Sequence, residues 1–346
     1  MDLSPDRLLV TGGAGFLGRH LSRRYADAGW QVTVLDDLSC PNSTFGCPEL
    51  AHPEIRCVQG SIFDAAVVAR LLAEHGAVVH FASVVGVGKT IEEPVETARN
   101  LAGTLNLVDG LTADHTVLFG SSADVYGMHS RRPGQRMAED DEVVFEHAAV
   151  NRWVYPKVKS LEENVLAASP ARAAIVRIFN SYGPGMDYPQ PKRVVPAFLE
   201  ALERGEPMRL SGDGSQVRCF CWHDDTVRGL ALTLEHARRS APGSATTVNI
   251  GSDVPVSIAG LAALMNEVAV ETGFRRRPVP VERAEGEMYA QPFCDSWHRI
   301  PDLARARTLL GYAPRVELRD GMARLLRAHR ERVAPGAAAR RLAAVR

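Results

Sequence analysis

The chain has 346 residues, of which 45% are hydrophobic and 23% are charged, a composition typical of a folded globular protein with a large core. Its formal net charge of −1 gives no general field that would favour nucleic acid or a membrane surface, so any anion must be bound by local groups. The sequence shows no C-x-x-C pair, signal-peptide pattern or long apolar run, and we therefore expect reduced thiols, no metal site and a cytoplasmic location.

Short apolar runs alternate with helical patterns through the first half of the chain. The runs RLLVTGG, QVTVLDD, IRCVQGSIFD, AVVHFAS and HTVLFGSS predict strands that end in turns. The segments GFLGRHLSRRYADAG, AAVVARLLAEHG and ETARNLAGTLNLVDGL predict helices between them. This β-α repetition predicts an α/β fold of the Rossmann type, in which a doubly wound parallel sheet is covered by helices on both faces.

The first strand leads into the glycine-rich turn TGGAGFLG, in which Gly12, Gly15 and Gly18 open a helix. A pyrophosphate must lie against backbone N–H groups at the positive end of a helix, and a Cβ atom there would intrude. The acidic pair Asp36 and Asp37 ends the next strand, where a carboxylate accepts hydrogen bonds from ribose hydroxyls and repels a 2′-phosphate. The pattern therefore predicts an NAD site and disfavours NADP.

Two later stretches carry groups that can move protons. In SSADVYG, Ser122 and Asp124 follow an apolar strand, and Asp124 is either a turn residue or a group that handles a proton. In YPKVKS, Tyr155 and Lys159 are four residues apart, so both project from one face of a helix. A nearby ammonium stabilises a phenolate, and we therefore expect Lys159 to lower the pKa of Tyr155 until it can accept a proton from a hydroxyl group.

The pattern loosens after the strand in AAIVRIFNSYGPG, and loops rich in Pro and Gly separate helical pieces such as VVPAFLEALERG and IAGLAALMNEVAVETG. We expect residues 1–180 to form mainly the NAD-binding domain. Residues 181–330 should form mainly a smaller substrate-binding domain that is interleaved with the last strands of the sheet. Residues 331–346 form an Arg/Ala-rich tail to which we assign no function.

The sequence resembles the extended short-chain dehydrogenase/reductases that act on nucleotide sugars. The resemblance runs from about Leu8 to Pro314 and is carried by TGGAGFLG, LDDLS, VVHFAS, SSADVYG, YPKVKS, RIFNSYGPG, GDGSQVRCFCWHDD and the N-x-x-GT pattern that begins at Asn100. It implies a triad of Ser122, Tyr155 and Lys159, and an NAD that oxidises the sugar at C4 and is regenerated within the cycle. The further cofactor contacts that it implies are Phe16, Leu17, Ser61, Ile62, Ala82 and Asn100.

The second half looks most like UDP-glucuronic acid decarboxylases, because of KRVVPAFLEALERGEPMRLSGDGSQVRCF, HRIPDLARARTLLGYAP and VNRWVYPKVKS. The substrate contacts that this resemblance implies are Asn180, Arg193, Val194, Arg218, Tyr289 and Arg299. Arginine suits a nucleotide diphosphate because its planar fork matches phosphate oxygens. Arg299 would approach the sugar carboxylate or donate a proton there. Relatives usually form a homodimer through a four-helix interface built from the helix after Asn100 and the helix with Tyr155.

The implied chemistry converts UDP-glucuronic acid to UDP-xylose. Oxidation at C4 makes the C6 carboxylate a β-keto acid, which loses carbon dioxide to an enolate that hydrogen bonds can stabilise. Three features depart from the family pattern: Asp124 replaces a Glu and Ala123 a Ser, Ser61 replaces an Asp that contacts adenine, and SVVGVGKT lacks a loop with proline and tyrosine. We therefore predict that Asp124 is a shortened catalytic acid/base. Its carboxylate would sit roughly 1.5 Å back, and we predict that this slows a late proton-transfer or reduction step and releases some UDP-4-keto-xylose.

Other functions stay open at this point. A UDP-sugar 4-epimerase would use the same triad and needs no acid at Asp124. A 4,6-dehydratase would require an Asp-Glu pair where this chain has Ala123 and Asp124. A non-catalytic NAD sensor would have no need of the complete triad. The products formed from UDP-glucuronate distinguish the decarboxylase, which removes carbon dioxide, from the epimerase, which gives an isomer of equal mass.

Overall fold

The computed structural model describes residues 6–128, 134–145, 150–186, 193–284 and 297–333. Its strands are β1 (Arg7–Thr11), β2 (Gln31–Asp36), β3 (Ile55–Gln59), β4 (Ala77–His80), β5 (Thr116–Ser122), β6 (Arg136–Met137), β7 (Arg172–Ile178), β8 (Ser181–Tyr182), β9 (Met208–Leu210), β10 (Val217–Cys219), β11 (Cys221–Trp222), β12 (Ala245–Ile250), β13 (Pro255–Ser257), β14 (Val281–Arg283) and β15 (His298–Pro301). Its helices are α1 (Phe16–Asp27), α2 (Ala65–Leu72), α3 (Val87–Glu92), α4 (Pro94–Gly110), α5 (Val154–Ala167), α6 (Val194–Arg204), α7 (His223–Arg238), α8 (Ile258–Glu271), α9 (Ala304–Leu310) and α10 (Leu318–Val333).

Seven parallel strands form the central sheet in the order β12-β7-β5-β4-β1-β2-β3. Both faces of the sheet are buried: Leu8 belongs to a hydrophobic cluster with Leu21 of α1 and Leu230 of α7, whereas Leu9 belongs to a second cluster with Leu107 of α4. This architecture confirms the Rossmann-type prediction. The strand order reverses between β1 and β4, and ligands of such sheets bind beyond the carboxyl ends of the strands at that point.

The smaller part of the molecule contains a four-stranded sheet in the order β13-β10-β15-β6 and a separate hydrophobic core. That core includes Phe198 of α6, Met265 of α8 and Leu325 of α10. The two parts exchange strands, because β12 from the second half joins the large sheet and β6 from the first half joins the small one. The small sheet matters for the site because β10 and β15 carry Arg218 and Arg299 side by side.

The helices differ from the sequence predictions in two places. The helix predicted over AAVVARLLAEHG ends at Leu72, because the N–H groups of Glu74 and His75 make tight turn bonds to Leu71 and Leu72. The sequence analysis did not anticipate α3, which begins within SVVGVGKT after Gly86. Among the described residues, no helix has both the length and the apolarity needed to cross a bilayer. The tail was predicted over residues 331–346; residues 331–333 end α10, and residues 334–346 lie outside the described residues.

Candidate active site

The glycine-rich turn lies between β1 and α1 at the reversal point of the sheet. A Cβ atom on Gly12, whose φ is +68°, would lie 2.6 Å from the N atom of Ala82, and one on Gly18 would lie 2.5 Å from the carbonyl oxygen of Gly12. Backbone atoms therefore occupy the space that a side chain would need at Gly12 and at Gly18. At Gly15 the single described contact of such a Cβ within 4 Å would be the Gly12 oxygen at 3.1 Å. Space at the start of α1 is thus left open at Gly15, where an anion is stabilised by the helix end.

The two carboxylates that end β2 have different surroundings. Asp36 is buried and accepts hydrogen bonds from the N–H groups of Ala14 at 3.0 Å and Leu38 at 2.9 Å, and burial raises the pKa of Asp36. Asp37 is exposed and accepts a hydrogen bond from the N–H of Ser39 at 2.9 Å. Because a carboxylate has about four acceptor sites, the two bonds to Asp36 leave capacity for ribose hydroxyls. The turn, the helix end and Asp36 fit the predicted dinucleotide.

Three other predicted cofactor residues, Asn100, Ser61 and Ile62, make contacts that hold the loops after β3 and β4. The side chain of Asn100 accepts from the N–H of Val84 at 2.8 Å and donates to its carbonyl at 3.0 Å, which fixes the loop after β4. Ser61 accepts a hydrogen bond from the N–H of Phe63 at 3.3 Å, and Ile62 packs close to Gly103. These residues shape the loops, and their direct contact with a cofactor stays a prediction. The described residues hold no group of three or more His, Cys, Asp and Glu side chains that could bind a metal ion.

The structure brings Ser122, Tyr155 and Lys159 together. Ser122 ends β5, and its hydroxyl hydrogen bonds with the phenol of Tyr155 and accepts from the N–H of Asp124 at 3.1 Å. Tyr155 and Lys159 lie one turn apart on α5, with Pro156 in the first helical turn. The Lys159 ammonium is buried and lies 5.9 Å from the ring centre of Tyr155.

The electrostatic surroundings of Tyr155 are the reverse of those predicted. Burial raises the pKa of Tyr155 well above its ordinary value, and the carboxylates of Asp124 and Glu162 raise it further. Arg193 and the hydrogen bond with Ser122 act in the opposite direction but do not outweigh the other effects. The prediction that the residues of the chain lower this pKa is therefore wrong, because desolvation and two carboxylates dominate.

Asp124 is the centre of a buried group of charges. Its Oδ1 atom lies 2.7 Å from Nη1 of Arg299 and 3.1 Å from Nη2 of Arg152. Burial alone would raise the pKa of Asp124, but the positive charges of Arg299, Arg152 and Arg218 hold it well below its ordinary range. A carboxylate held in this way has no proton to give at neutral pH. The ion pairs and the lowered pKa thus speak against the predicted acid/base role of Asp124 and favour a role as an anchor for two arginines.

The predicted substrate residues lie around this charge group. Arg218 of β10 and Arg299 of β15 are paired across parallel strands and are both buried. Asn180 donates to the carbonyl of Cys219 at 3.3 Å, while Arg193 is exposed at the start of α6 and Val194 is its first residue. A site with this many guanidinium groups suits a diphosphate or a carboxylate. The predicted contact Tyr289 lies outside the described residues.

Two charged residues of the site were missed in the sequence. Arg152 lies three residues before Tyr155, and Glu162 lies three residues after Lys159, where its Oε2 atom is 3.2 Å from the lysine Nζ. Both signals were present in VNRWVYPKVKSLEE, because residues three apart are neighbours on a helix or a helical turn. Sequence alone could not show that the two side chains are buried.

Comparisons with known proteins identify the family of the chain. A family model described as the NAD dependent epimerase/dehydratase family matches residues 8–251. The chain is similar to a UDP-N-acetyl-alpha-D-glucosaminuronate decarboxylase of Bacillus cytotoxicus, with 29% identity over 94% of this chain and 98% of that protein. It is also similar to UDP-glucuronic acid decarboxylase 1 of Xenopus tropicalis, with 28% identity over 91% of this chain and 70% of that protein.

Among solved structures, the chain resembles MoeE5 in complex with UDP-glucose and NAD. The TM-score is 0.76 at 26% identity, and the match covers 95% of this chain and 100% of that one. MoeE5 has also been solved in complex with UDP-glucuronic acid and NAD. NAD is therefore the cofactor of the crevice.

The glycine turn gives a prediction that separates cofactor binding from folding. We expect Gly15→Ala to fold as the parent does but to bind NAD at least about tenfold more weakly, because the added Cβ enters the open space at the start of α1. Gly18→Ala should instead lose about 1–3 kcal/mol of stability, since its Cβ meets backbone atoms. Calorimetric titration with NAD and thermal unfolding measure the two effects. Unchanged NAD affinity in Gly15→Ala would show that the cofactor does not use this space.

The ion pairs of Asp124 give a prediction about pH. We expect Asp124→Asn to lower the free energy of unfolding by about 3 kcal/mol at neutral pH, because two buried guanidinium groups lose their shared partner. The pKa of Asp124 is depressed in the folded state, so its contribution is present above the unfolded pKa of about 3.9 and is lost as the pH falls below it. The difference in free energy of unfolding between parent and variant should therefore become smaller as the pH falls.

Urea unfolding at a series of pH values tests this expectation, with Asp37→Asn as the control because Asp37 is exposed. The control should stay within about 0.5 kcal/mol of the parent. The anchor role would be refuted if Asp124→Asn had the same free energy of unfolding as the parent at neutral pH, or if the difference between them widened in acid.

Proposed function

The chain belongs to the NAD-dependent epimerase/dehydratase family, and we propose that within this family it decarboxylates UDP-glucuronic acid through a 4-keto intermediate. The observation that carries the proposal is the buried arginine group around Asp124, next to Ser122 and Tyr155. A hexuronate adds a second anionic group to the nucleotide diphosphate, and buried arginines are suited to bind both. The similarity to proteins named as decarboxylases supports the same reading.

The cycle begins with proton transfer from the sugar. Tyr155 accepts the proton of the 4-hydroxyl, and Ser122 holds the same oxygen by a hydrogen bond. NAD, when held by the glycine-rich turn and Asp36, would supply the hydride acceptor for C4 and the hydride that is returned at the end, and the positive charge of its nicotinamide ring would oppose the carboxylates near Tyr155. The Lys159 ammonium and the Arg193 guanidinium are positive charges that the chain itself contributes near the phenol.

Carbon dioxide then leaves from the β-keto acid. The C5–C6 bond breaks and its electron pair moves to the C4 oxygen, where Ser122 and Tyr155 stabilise the developing enolate. C5 gains a proton that comes from solvent, and we propose that Arg299 directs the substrate carboxylate before the bond breaks. The hydride removed at the start would then return to C4 while Tyr155 returns its proton to the C4 oxygen, which gives UDP-xylose.

In this proposal Asp124 acts through Arg299 rather than as an acid. Its short side chain draws the Arg299 guanidinium back by about one methylene relative to the Glu that relatives usually have. We propose that the poorer placement of Arg299 slows the late steps, so that some UDP-4-keto-xylose leaves before reduction.

One observation favours a second candidate substrate, a UDP-N-acetylated hexuronate. The relative from Bacillus cytotoxicus is named for UDP-N-acetyl-alpha-D-glucosaminuronate, which carries the same carboxylate as UDP-glucuronate with a different substituent at C2. The arginine group around Asp124 does not distinguish the two sugars.

We further propose a cytoplasmic homodimer. Apolar side chains on α4 and α5 are exposed: Val95 is 66%, Leu105 40% and Leu161 45% accessible. The two helices pack against each other, and a second copy of the same pair would cover these residues in a four-helix interface. The cytoplasm is proposed because the described cysteines are free thiols, as expected in a reducing compartment: Cys40, Cys47, Cys57, Cys219 and Cys221.

Incubation of the purified chain with NAD and each uronate nucleotide, followed by mass spectrometry, tests the proposed reaction. We expect a product that has lost carbon dioxide, present as the pentose and as a keto sugar two hydrogens lighter. Tyr155→Phe is the matched inactive control, because it removes only the phenolic hydroxyl. An isomer of unchanged mass would indicate an epimerase and loss of water a dehydratase; either result, or no reaction with both substrates, contradicts the proposal.

The product ratio tests the role of the Asp124 side chain length. We expect Asp124→Glu to raise the fraction of fully reduced pentose several-fold, because the longer carboxylate lets Arg299 move forward. Asp124→Asn, which removes the charge without lengthening the side chain, should lower turnover by about 100-fold or more. The ratio of keto sugar to pentose is read from the same spectra. An unchanged ratio in Asp124→Glu would contradict the proposal that the short side chain of Asp124 slows the late steps.

The proposed interface predicts the behaviour of Leu161→Glu. A carboxylate in the centre of an apolar helix face should convert the dimer to a monomer without changing the midpoint of thermal unfolding by more than a few degrees. Light scattering measures the mass in solution. Val254→Glu is the control, since Val254 is 65% exposed on a different surface. A parent chain that is already monomeric, or a variant that remains dimeric, would refute this interface.

A further inference from the structure

A line of buried polar side chains runs from Lys159 through the interior to the first strand. The Nζ atom of Lys159 lies 3.2 Å from Oε2 of Glu162, and the hydroxyl of Thr104 lies 2.6 Å from Oε1 of the same carboxylate. The ring of His80 follows, with Nε2 2.9 Å from Thr104 Oγ1 and Nδ1 2.7 Å from Thr11 Oγ1. All five residues are buried. The catalytic helix is thus tied to the strand that leads into the glycine turn.

The direction of each hydrogen bond in this line follows from the chemistry of Glu162. An ionised carboxylate has only acceptors, so the hydroxyl of Thr104 must donate to it. The oxygen of Thr104 then accepts from His80, which places the imidazole proton on Nε2. His80 is neutral, because burial lowers its pKa to about 4, and its Nδ1 accepts from the hydroxyl of Thr11. Thr11 in turn accepts from the N–H of Ala82 at 3.4 Å.

Every donor in this line therefore points toward Glu162. Hydrogen bonds in such a chain polarise one another, and their combined effect stabilises the negative charge at its end. Lys159 is the counter-charge: its ammonium contacts Glu162 and lies 4.4 Å from the ring centre of Phe119. A buried ion pair costs much desolvation energy unless further hydrogen bonds support it, and the line from Thr104 supplies them.

The same carboxylate acts on Tyr155 at longer range. The charged groups around Tyr155 are Asp124 from the turn after β5, Arg193 from the start of α6, and Glu162 and Lys159 from its own helix. Burial is the largest cause of the raised pKa of Tyr155, followed by Asp124 and then Glu162. Asp124 is shared with the arginine group, and Glu162 is the second carboxylate that acts on Tyr155, from the same helix.

We propose that Glu162 is a positioning residue: held as a carboxylate by Thr104, it fixes the Lys159 ammonium and decides how much of that positive charge acts on Tyr155. This inference rests on the proposed roles of Tyr155 and Lys159 as the catalytic pair. The residue does not touch the reacting atoms. Its effect is to make the phenol of Tyr155 a stronger base, which ionises at higher pH than Lys159 alone would allow.

Titration of position 155 tests the proposal without any substrate. A ring-fluorinated tyrosine, which is more acidic than tyrosine, replaces Tyr155 and reports its ionisation by fluorine NMR. We expect Glu162→Gln to lower the pKa of this residue by about one unit, because a nearby negative charge is removed and the ammonium is no longer shared. Glu162→Asp, which keeps the charge, should shift the pKa by less than half as much.

Glu163→Gln is the matched control for this titration. Glu163 is buried on the same helix but pairs with Arg177 at 2.8 Å and accepts from the hydroxyl of Ser121, so its loss should leave the titration of residue 155 unchanged. Thermal unfolding shows whether each variant folds. If the Glu162→Gln chain folds and loses stability but the pKa of residue 155 does not change, Glu162 has only a structural role. That result would overturn the proposal.

The tautomer of His80 provides a second test that needs no substitution at position 162. Nitrogen NMR of the parent chain should show His80 neutral throughout the neutral pH range, with its proton on Nε2. His80→Ala identifies the signal by its loss. A proton on Nδ1 would mean that Thr104 cannot accept from His80, and the polarised line would then be refuted. Neither test measures turnover, so either test can overturn the role of Glu162 while the proposed reaction holds. Conversely, both tests can support that role while the proposed reaction fails.

Discussion

The site depends on one carboxylate oxygen that is shared by two arginines. Oδ1 of Asp124 lies within ion-pair distance of Arg152, which precedes α5, and of Arg299, which lies on the small sheet. The contact joins three segments that are far apart in the sequence. Without it, two buried guanidinium groups would have to be desolvated without their common partner, which is costly in a protein interior. The small sheet is therefore tied to the large one by the same charges that suit an anionic substrate.

A second buried pair supports the first from inside the Rossmann sheet. Lys159 and Glu162 face each other beneath the crevice, and Thr104 and His80 connect them to β1. The two pairs act on Tyr155 in related ways, since both Asp124 and Glu162 raise its pKa. A phenol with a raised pKa is a strong base once it is ionised. The charges that the chain itself places around Tyr155 therefore favour the neutral phenol.

Much of the fold and part of the site could be predicted because their signals are local. The strand–turn–helix at Gly12 to Gly18 and the four-residue spacing of Tyr155 and Lys159 are properties of neighbouring residues. The role of Asp124 could not be predicted, because its partner Arg299 lies 175 positions away and the burial of both decides their charge state. The predicted direction of the pKa shift at Tyr155 was wrong for a similar reason, because the spacing of residues does not show whether a side chain is desolvated.

The proposed reaction breaks the C5–C6 bond, and the source of the hydrogen that C5 then gains tests that proposal most directly. The reaction can be run in heavy water with UDP-glucuronate, and the position of deuterium in the product read by NMR and mass spectrometry. The account predicts a pentose product with one deuterium at C5 and none at C4, because C5 gains a solvent proton and C4 regains its own hydrogen. A six-carbon product, or a pentose without deuterium at C5, would contradict it.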